Sequence, residues 1–528
     1  MFSVQARQRS ETWDGLYKRR FDLLVIGAGI IGARVALEAA RAGLSVALVD
    51  AGDFGGATSS ASTKLIHGGF RYLPMGDLAL IWESQRERRA LMQRVAPHVV
   101  RRLPMVLAAY RGGPRGPLTA AAGVLAYGAL CGFRGTGVSL VGARAAQHLV
   151  PSLRTEGLSV CGLFDEGQTN DARLVLDTIA AAAGLGATVL NHARVVALDH
   201  PHGRLARATI QGRNGEGVVE VGFRYVINAS GPWVDAVRHL EDETSQPIAR
   251  LSKGIHLLLE PQSEWRAGVV VPVEDGRVTM ALPWQGMLML GTTDTDYEGD
   301  PAECAASPSD VRQVLAEASR ALPPEVVRAD AVRFSFAGLR VLPLGAETTA
   351  STHREHLVRT GRFGMVSIAG GKLTTHRRIA LEALHRLPDP RLASLRLADV
   401  PLPQASPALL DEANRDADPD VVTHLTQIYG RDSLTVMQQA QGRRDALERI
   451  HPDGPDVWAQ VYHAVEREWA TTVEDVVRRR TTIAVRGLAT PAVRAEVGGV
   501  IATTTRAYDR LAGSRPGLRL VKSPARFL

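Results

Sequence analysis

The chain has 528 residues, of which 45% are hydrophobic and 22% charged, so it is an ordinary globular protein long enough for about three domains. Its three cysteines, Cys131, Cys161 and Cys304, lie far apart without a CxxC pair. That excludes a cysteine-based zinc site and a disulfide framework, suits a reducing compartment and leaves no metal site expected. The net charge of +7 fits an anionic membrane, nucleic acid or a phosphorylated substrate. With only 5% aromatic residues and no basic cluster interleaved with them, a nucleic-acid platform is not expected.

Residues 1–20 read as a polar lead-in with no apolar signal segment, so the chain is expected in the cytoplasm. Phe21–Ile26 is a short apolar run that opens onto glycines. Ile30–Ala42 has helical composition, and Leu44–Val49 is a second strand-like run ending at Asp50. Strand, glycine turn, helix and strand make one βαβ unit. Ala51–Lys64 is rich in Gly, Ser and Thr and reads as loop at its start, and Trp82–Val95 as a charged helix.

Gly116–Phe133 contains no charged residue and is flanked by Arg111, Arg115 and Arg134. Three readings stand for it: a helix in a membrane interface, which the basic flanks favour, a buried core helix, or a span. Further on come a helix at Asp171–Ala183 and strand-like runs at Thr188–Leu198 and Arg224–Ala229. Two strand–turn units at 253–259 and 287–294 point to an antiparallel sheet. Met365–Ala369 is a buried strand that stops at Gly370-Gly371, with helix expected over Lys372–Leu387.

Prolines at 388, 390, 401, 403 and 407 mark a linker, placed at 391–408 after a composite body at 21–390. The rest, 409–528, reads as helical. Val457, Val461, Val465 and Trp469 form an apolar stripe there, and Thr471-x-x-Glu474 a capping box.

Two glycine turns carry chemistry. Gly27-x-Gly29-x-x-Gly32 lies between strand and helix, with Asp50 23 residues after Gly27. Backbone N–H groups and the helix N-terminus there suit a pyrophosphate, and the acid suits a ribose hydroxyl, which leaves FAD and NAD both open. Gly370-Gly371-Lys372-Leu373-Thr374-Thr375 forms a second strand–helix junction whose N–H groups would stabilise the anionic edge of a reduced flavin. Basic residues stand beside other turns: His67 and Arg71 with Tyr72 in KLIHGGFRYL, Lys253 and His256 in SKGIH, and Arg340 in AGLRVLP.

Together these strings resemble the respiratory, quinone-reducing, FAD-dependent glycerol-3-phosphate dehydrogenases. The matching stretches are VIGAGIIGARVALEAARAG, ATSSASTKLIHGGFRYL, DARLVLD, INASGPWVD, SKGIH, LGTTDTDYEGDP, AGLR, SIAGGKLTTHR and EREWATTVEDVVRRRT, from about residue 20 to about 510. The resemblance implies an α/β fold: a doubly wound, Rossmann-like FAD-binding domain, an inserted antiparallel substrate-binding sheet and an all-helical C-terminal domain. Substrate- or membrane-facing parts would fall at about 95–150 and 250–345.

By position, the resemblance implies that Gly27, Gly29, Gly32 and Asp50 hold the ADP half of FAD, with Thr58, Ser59 and Ser60 along the diphosphate and ribityl. Gly231, His67 and the Gly370, Gly371, Lys372, Leu373, Thr374 turn would complete the cofactor site. Arg71, Tyr72, Thr293 and Arg340 would bind substrate, and Lys253, His256 and Lys372 would cluster at the reacting carbon. The implied reaction is oxidation of sn-glycerol 3-phosphate to dihydroxyacetone phosphate. His256 is the first candidate for the base, because imidazole titrates near neutral pH, with Lys372 or an assisting Arg340 as alternatives. Electrons would pass to a membrane quinone at the inner leaflet, and a homodimer is left open.

A glycerol-3-phosphate oxidase, a flavin amine or amino-acid oxidase, and a non-catalytic redox sensor are the competing readings. Two positions depart from the family pattern. Arg340 is followed by Val341-Leu342-Pro343 rather than Arg-Pro-Leu, and His376 stands where tyrosine is common.

Overall fold

The computed structural model describes residues 9–513, except 71–72, 74–75, 114–115, 133–135, 214–215, 274–276, 345–355, 406–417, 440–442 and 444. Two sheets and a helical C-terminal region make up the molecule, as expected. The first sheet runs in the order 356–360, 366–370, 218–228, 20–26, 46–49, 188–190, and a hairpin at 193–199 and 207–212 extends it beside 218–228. Strand Arg20–Ile26 pairs in parallel with Val46–Val49 on one side and Val218–Asn228 on the other. Its register aligns Ile26 with Val49 and with Asn228. The chain order therefore reverses at Arg20–Ile26, and the carboxyl ends of three strands open at one level, where open α/β sheets bind ligands.

Helices Ile30–Arg41, Asp171–Gly184 and His376–His385 cover one face of this sheet. Their Ala, Val, Leu and Ile side chains at helical spacing meet strands that are apolar on both faces. The lead-in contributes to the opposite face: Arg9–Lys18 is a helix that buries Leu16 completely among Phe21, Phe223 and Ile210.

The second sheet has ten strands and is antiparallel except where Gly268–Val270 pairs in parallel with Met105–Leu107. Strand Ala249–Leu259 lies within it, bordered by Met287–Gly291 and Thr295–Tyr297 on one edge and Val332–Pro343 on the other.

Prolines at 388–403 do not make a free linker. Leu392 and Leu402 are buried in the core of the first sheet, and Leu402 N–H donates to Val95 O at 2.8 Å. Beyond 418 the regular elements among the described residues are helical. The expected stripe ends early, because the helix spans Trp458–Arg467 and Trp469 turns back on Phe54. The capping box sits one residue later than read, on Thr472 and Asp475.

Candidate active site

Backbone geometry builds the first glycine turn. Gly27 has φ +99°, and a Cβ there would lie 2.6 Å from Ala229 O, while one on Gly32 would overlap the Gly27 carbonyl. Gly29 caps helix Ile30–Arg41 without a side-chain partner, and no acid occupies the first turn. Ser59 Oγ accepts from Ile30 N–H at 3.0 Å. Asp50 Oδ2 accepts from Ala28 N–H at 2.6 Å and Oδ1 from Gly52 N–H at 2.8 Å. Burial pushes this carboxyl up to about 6 against those two donors. Gly231 follows Ser230, on the segment that Gly27 abuts.

The second glycine turn lies at the end of Val366–Gly370, two strands away from Arg20–Ile26 and parallel to Val218–Asn228. Gly370 has φ +80° and Gly371 +108°. A Cβ on Gly371 would stand 2.8 Å from Ile379 and 2.9 Å from Ile31 at the start of the first helix. The two turns thus share one opening. The following helix begins only at His376, so Leu373–Thr375 forms a turn rather than a helical start. Thr374 Oγ1 accepts from His67 N–H at 3.1 Å, which joins the KLIHGG segment to this turn. The Lys372 ammonium is enclosed there.

The second sheet carries Arg340 and His256 on one face. Arg340 pairs with Ser252 and His256 with Phe336 on adjacent strands, so all four share one face. The Arg340 guanidinium lies over Gly254, where a Cβ would come within 2.6 Å of Nη2. It donates to Thr292 Oγ1 at 3.0 Å, Thr293 O at 3.1 Å and Asp294 Oδ1 at 3.3 Å. His256 is buried and stacks on Phe336 with ring centroids 5.0 Å apart. Its Nε2 is 3.0 Å from Thr63 Oγ1, and its Nδ1 has no hydrogen-bond partner among the described residues.

Residues 22–377 match the family of FAD-dependent oxidoreductases, and residues 367–507 match the C-terminal domain of alpha-glycerophosphate oxidase. A probable mitochondrial glycerol-3-phosphate dehydrogenase of Caenorhabditis elegans is 35% identical over 88% of this chain and 68% of its own length. A glycerol-3-phosphate dehydrogenase of Synechocystis sp. is 32% identical over 88% of this chain and 89% of its own. The fold is similar to that of the Bacillus halodurans glycerol-3-phosphate dehydrogenase complexed with FAD, with a TM-score of 0.74 and 27% identity over 95% of this chain and 98% of that one. The chain belongs to the FAD-dependent glycerol-3-phosphate dehydrogenase family.

FAD is the cofactor of this family, and the site fits it. A Cβ at Gly27 or Gly371 would collide with the protein's own atoms, so only glycine builds these turns, and the helix start at Ile30 carries no acid to repel a diphosphate. Of Thr58, Ser59 and Ser60, only Ser59 addresses this turn. Thr58 Oγ1 donates to Leu339 O at 2.7 Å and Ser60 Oγ to Ala57 O at 3.4 Å, so both side chains are spent on the protein.

Three expectations for the substrate half are corrected, and the family departure at His376 is placed. Lys253 and His256 lie in mid-strand, not at turns, and their odd separation puts them on opposite faces of the sheet. Lys253 Nζ points away, 2.7 Å from Asp310 on helix Pro308–Ala318. Thr293 is fully buried and its Oγ1 accepts from Ile255 N–H at 3.1 Å, so its contact with Arg340 is through the backbone. His376 faces inward, where burial pushes it down to about 3. Finally, His256 does not titrate near neutrality: burial, then the positive charges of Lys64 and Arg340, push it down to about 3. Arg71 and Tyr72 lie outside the described residues.

The sequence reading missed Lys64, Thr63 and Asp171. Lys64 is buried with φ +61°, its Nζ 2.8 and 2.9 Å from the Asp171 carboxylate and 4.9 Å from the ring centroids of Phe336 and Trp284. A non-glycine residue held in the left-handed region marks a place where the surroundings impose the conformation. Lys64 and Asp171 both fall inside the strings that carry the family resemblance, but nothing in their spacing announces the pair.

Proposed function

We propose that this protein oxidises sn-glycerol 3-phosphate to dihydroxyacetone phosphate and passes the electrons to a membrane quinone. The observation that carries the reading is one sheet face that holds Arg340 and His256 together, with His256 against Thr63, on the segment whose His67 N–H is bonded to Thr374 of the second glycine turn. Bound FAD supplies the hydride acceptor. Arg340 holds the phosphate, since a guanidinium offers paired donors to its oxygens, and by sequence position Arg71 and Tyr72 join it. Thr292 and Asp294 fix the angle of Arg340 beforehand. His256, neutral and with one nitrogen unengaged, accepts the C2-hydroxyl proton, while Thr63 orients the ring through Nε2. Burial is the main cause of its low basicity, and a phosphate held by Arg340 offsets the smaller of the two charges that add to it. Lys372, enclosed at the glycine turn, is the alternative base.

The quinone half of the reading rests on helix Pro117–Leu130. It buries Ala120, Val124 and Tyr127 but leaves Leu118 at 86% and Leu125 at 43% exposure. Trp82, on helix Leu78–Ala90 of the same core cluster, is 65% exposed. No helix among the described residues is long and apolar enough to cross a membrane. An apolar face of this kind suits a segment lying in the interface of the inner leaflet.

The test is anaerobic. Adding sn-glycerol 3-phosphate to flavin-loaded protein should bleach the flavin absorbance, and quinone should restore it faster than oxygen does. Unbleached flavin in folded protein overturns the substrate, and faster recovery with oxygen overturns the acceptor. Leu118→Asp should weaken sedimentation with anionic vesicles and leave bleaching intact.

A further inference from the structure

Behind the adenosine end of the cofactor site, the C-terminal domain closes on the body through a buried polar cluster. Asp53, three residues past Asp50, is its centre. Asp53 Oδ1 accepts from Asn191 Nδ2 at 3.0 Å and Arg480 Nη2 at 2.9 Å, and Oδ2 accepts from Arg479 Nε and Arg480 Nη1. Arg480 is wholly enclosed and also donates to Glu468 O at 2.8 Å. Beside it, His192 Nε2 lies 3.0 Å from Asp475 Oδ2, and Asn191 Nδ2 donates to Trp469 O at 2.8 Å. The Trp469 ring meets Phe54 edge-on at 5.6 Å.

The same 190–193 turn holds the Asp50 loop by its backbone. Asp50 N–H donates to Leu190 O at 3.0 Å, Ala193 N–H to Asp50 O at 2.7 Å and His192 N–H to Gly52 O at 2.8 Å. His192 and Trp469 both stand in the left-handed region, with φ +48° and +58°, a conformation that persists in non-glycine residues only where the surroundings enforce it. Asp53, His192 and Asp475 come within 4.8 Å of one another, and the two guanidiniums supply the positive charge at that point. Loop 50–54 is thus fastened from outside by the C-terminal domain, while Asp50 faces inward to the first glycine turn.

We propose that the C-terminal domain is a clamp for the adenosine half of FAD, with Arg480 and Asp475 as positioning residues that act through Asp53 and the 190–193 turn to hold Asp50 in place. This rests on the reading of Asp50 as the ribose acceptor. A buried charge-assisted network has one relaxed arrangement, so removing a member frees the loop it holds.

The measurement is FAD release from holoenzyme on dilution, followed by flavin fluorescence. Arg480→Gln should weaken retention by about tenfold to a hundredfold, the size of the one charge-assisted contact it is argued to position, that of Asp50 with the ribose. Asp475→Asn, which keeps the volume, should act in the same direction and carries the test where Arg480→Gln does not fold. Excess FAD should restore turnover with an unchanged KM for substrate, which a general loss of structure would not permit. In combination with Asp50→Asn, either substitution should add little further loss. Wild-type retention in both clamp variants overturns the proposal, as do fully additive losses with Asp50→Asn. Wild-type retention in Asp50→Asn alone overturns the ribose reading instead, and the clamp with it.

Discussion

The two halves of the active site are built by different means. Around the first glycine turn, what the candidate site offers a cofactor is backbone N–H donors, fixed by strand register and by glycines whose Cβ would collide with the protein's own backbone. Around His256 and Arg340, they are side chains on a sheet face, and their use depends on which way each one points. A site of backbone fails all at once when one atom is added, whereas a site of side chains degrades residue by residue. Gly27→Ala should therefore have the largest effect. With φ +99° and Ala229 O 2.6 Å from the new Cβ, the turn must open, and the purified protein should carry no flavin absorbance.

On the side-chain half, His256→Asn should lower kcat by about 10²–10⁴-fold, the range for a lost general base, with FAD still bound. The pH profile sharpens this. Because burial and two neighbouring cations push His256 down to about 3, the free enzyme should show no acid limb at the ordinary imidazole value in kcat/KM. A limb near 6.5 that vanishes in His256→Asn would sink the reading of a depressed imidazole. Arg340→Lys keeps the charge but loses the planar fork over Gly254. It should raise KM with a cost of about tenfold to a hundredfold in kcat/KM, read from substrate titrations of flavin bleaching.

How much of this was legible in the sequence follows the same division. The strand–glycine–helix unit, Asp50 and the second glycine pair were readable because backbone rules attach to fixed spacings. The helix expected from Lys372 starts at His376, since two glycines with positive φ and a Thr374–His67 bond hold the intervening residues in a turn. Side-chain direction was partly readable: Lys253 and His256 are three apart, and on a strand an odd separation means opposite faces. The Lys64–Asp171 pair and the Asp53–Arg480 pair were not, because they join residues 107 and 427 positions apart. No local periodicity encodes such a meeting.

His376 gives a smaller effect, on stability rather than turnover. Its folded value of about 3 lies below the ordinary 6.5. Between those values the unfolded chain binds the proton and the native one does not, so the stability it contributes is complete above pH 6.5 and is lost as pH falls toward 3. His376→Gln should flatten the fall of Tm between pH 6.5 and 4. The raised carboxyls Glu166 and Asp50 have the opposite sign and lose their contribution as pH rises toward about 7 and about 6.

The smallest expected effect is the one that separates the faces of the substrate sheet. Lys253 was expected beside His256, but its ammonium pairs with Asp310 on the far side, under helix Pro308–Ala318. Lys253→Met removes that partly exposed pair and leaves Asp310 accepting from Ser307 N–H at 2.8 Å, which keeps the helix capped. The loss of stability should be about 1 kcal/mol or less. Because strand Ala249–Leu259 stands between Lys253 and the Arg340–His256 face, kcat and KM should stay within about twofold of wild type, as for a charge screened from the reacting atoms. A tenfold fall in kcat/KM, with the melting temperature intact, would mean that Lys253 reaches the substrate after all and that the two faces of this sheet are not chemically separate.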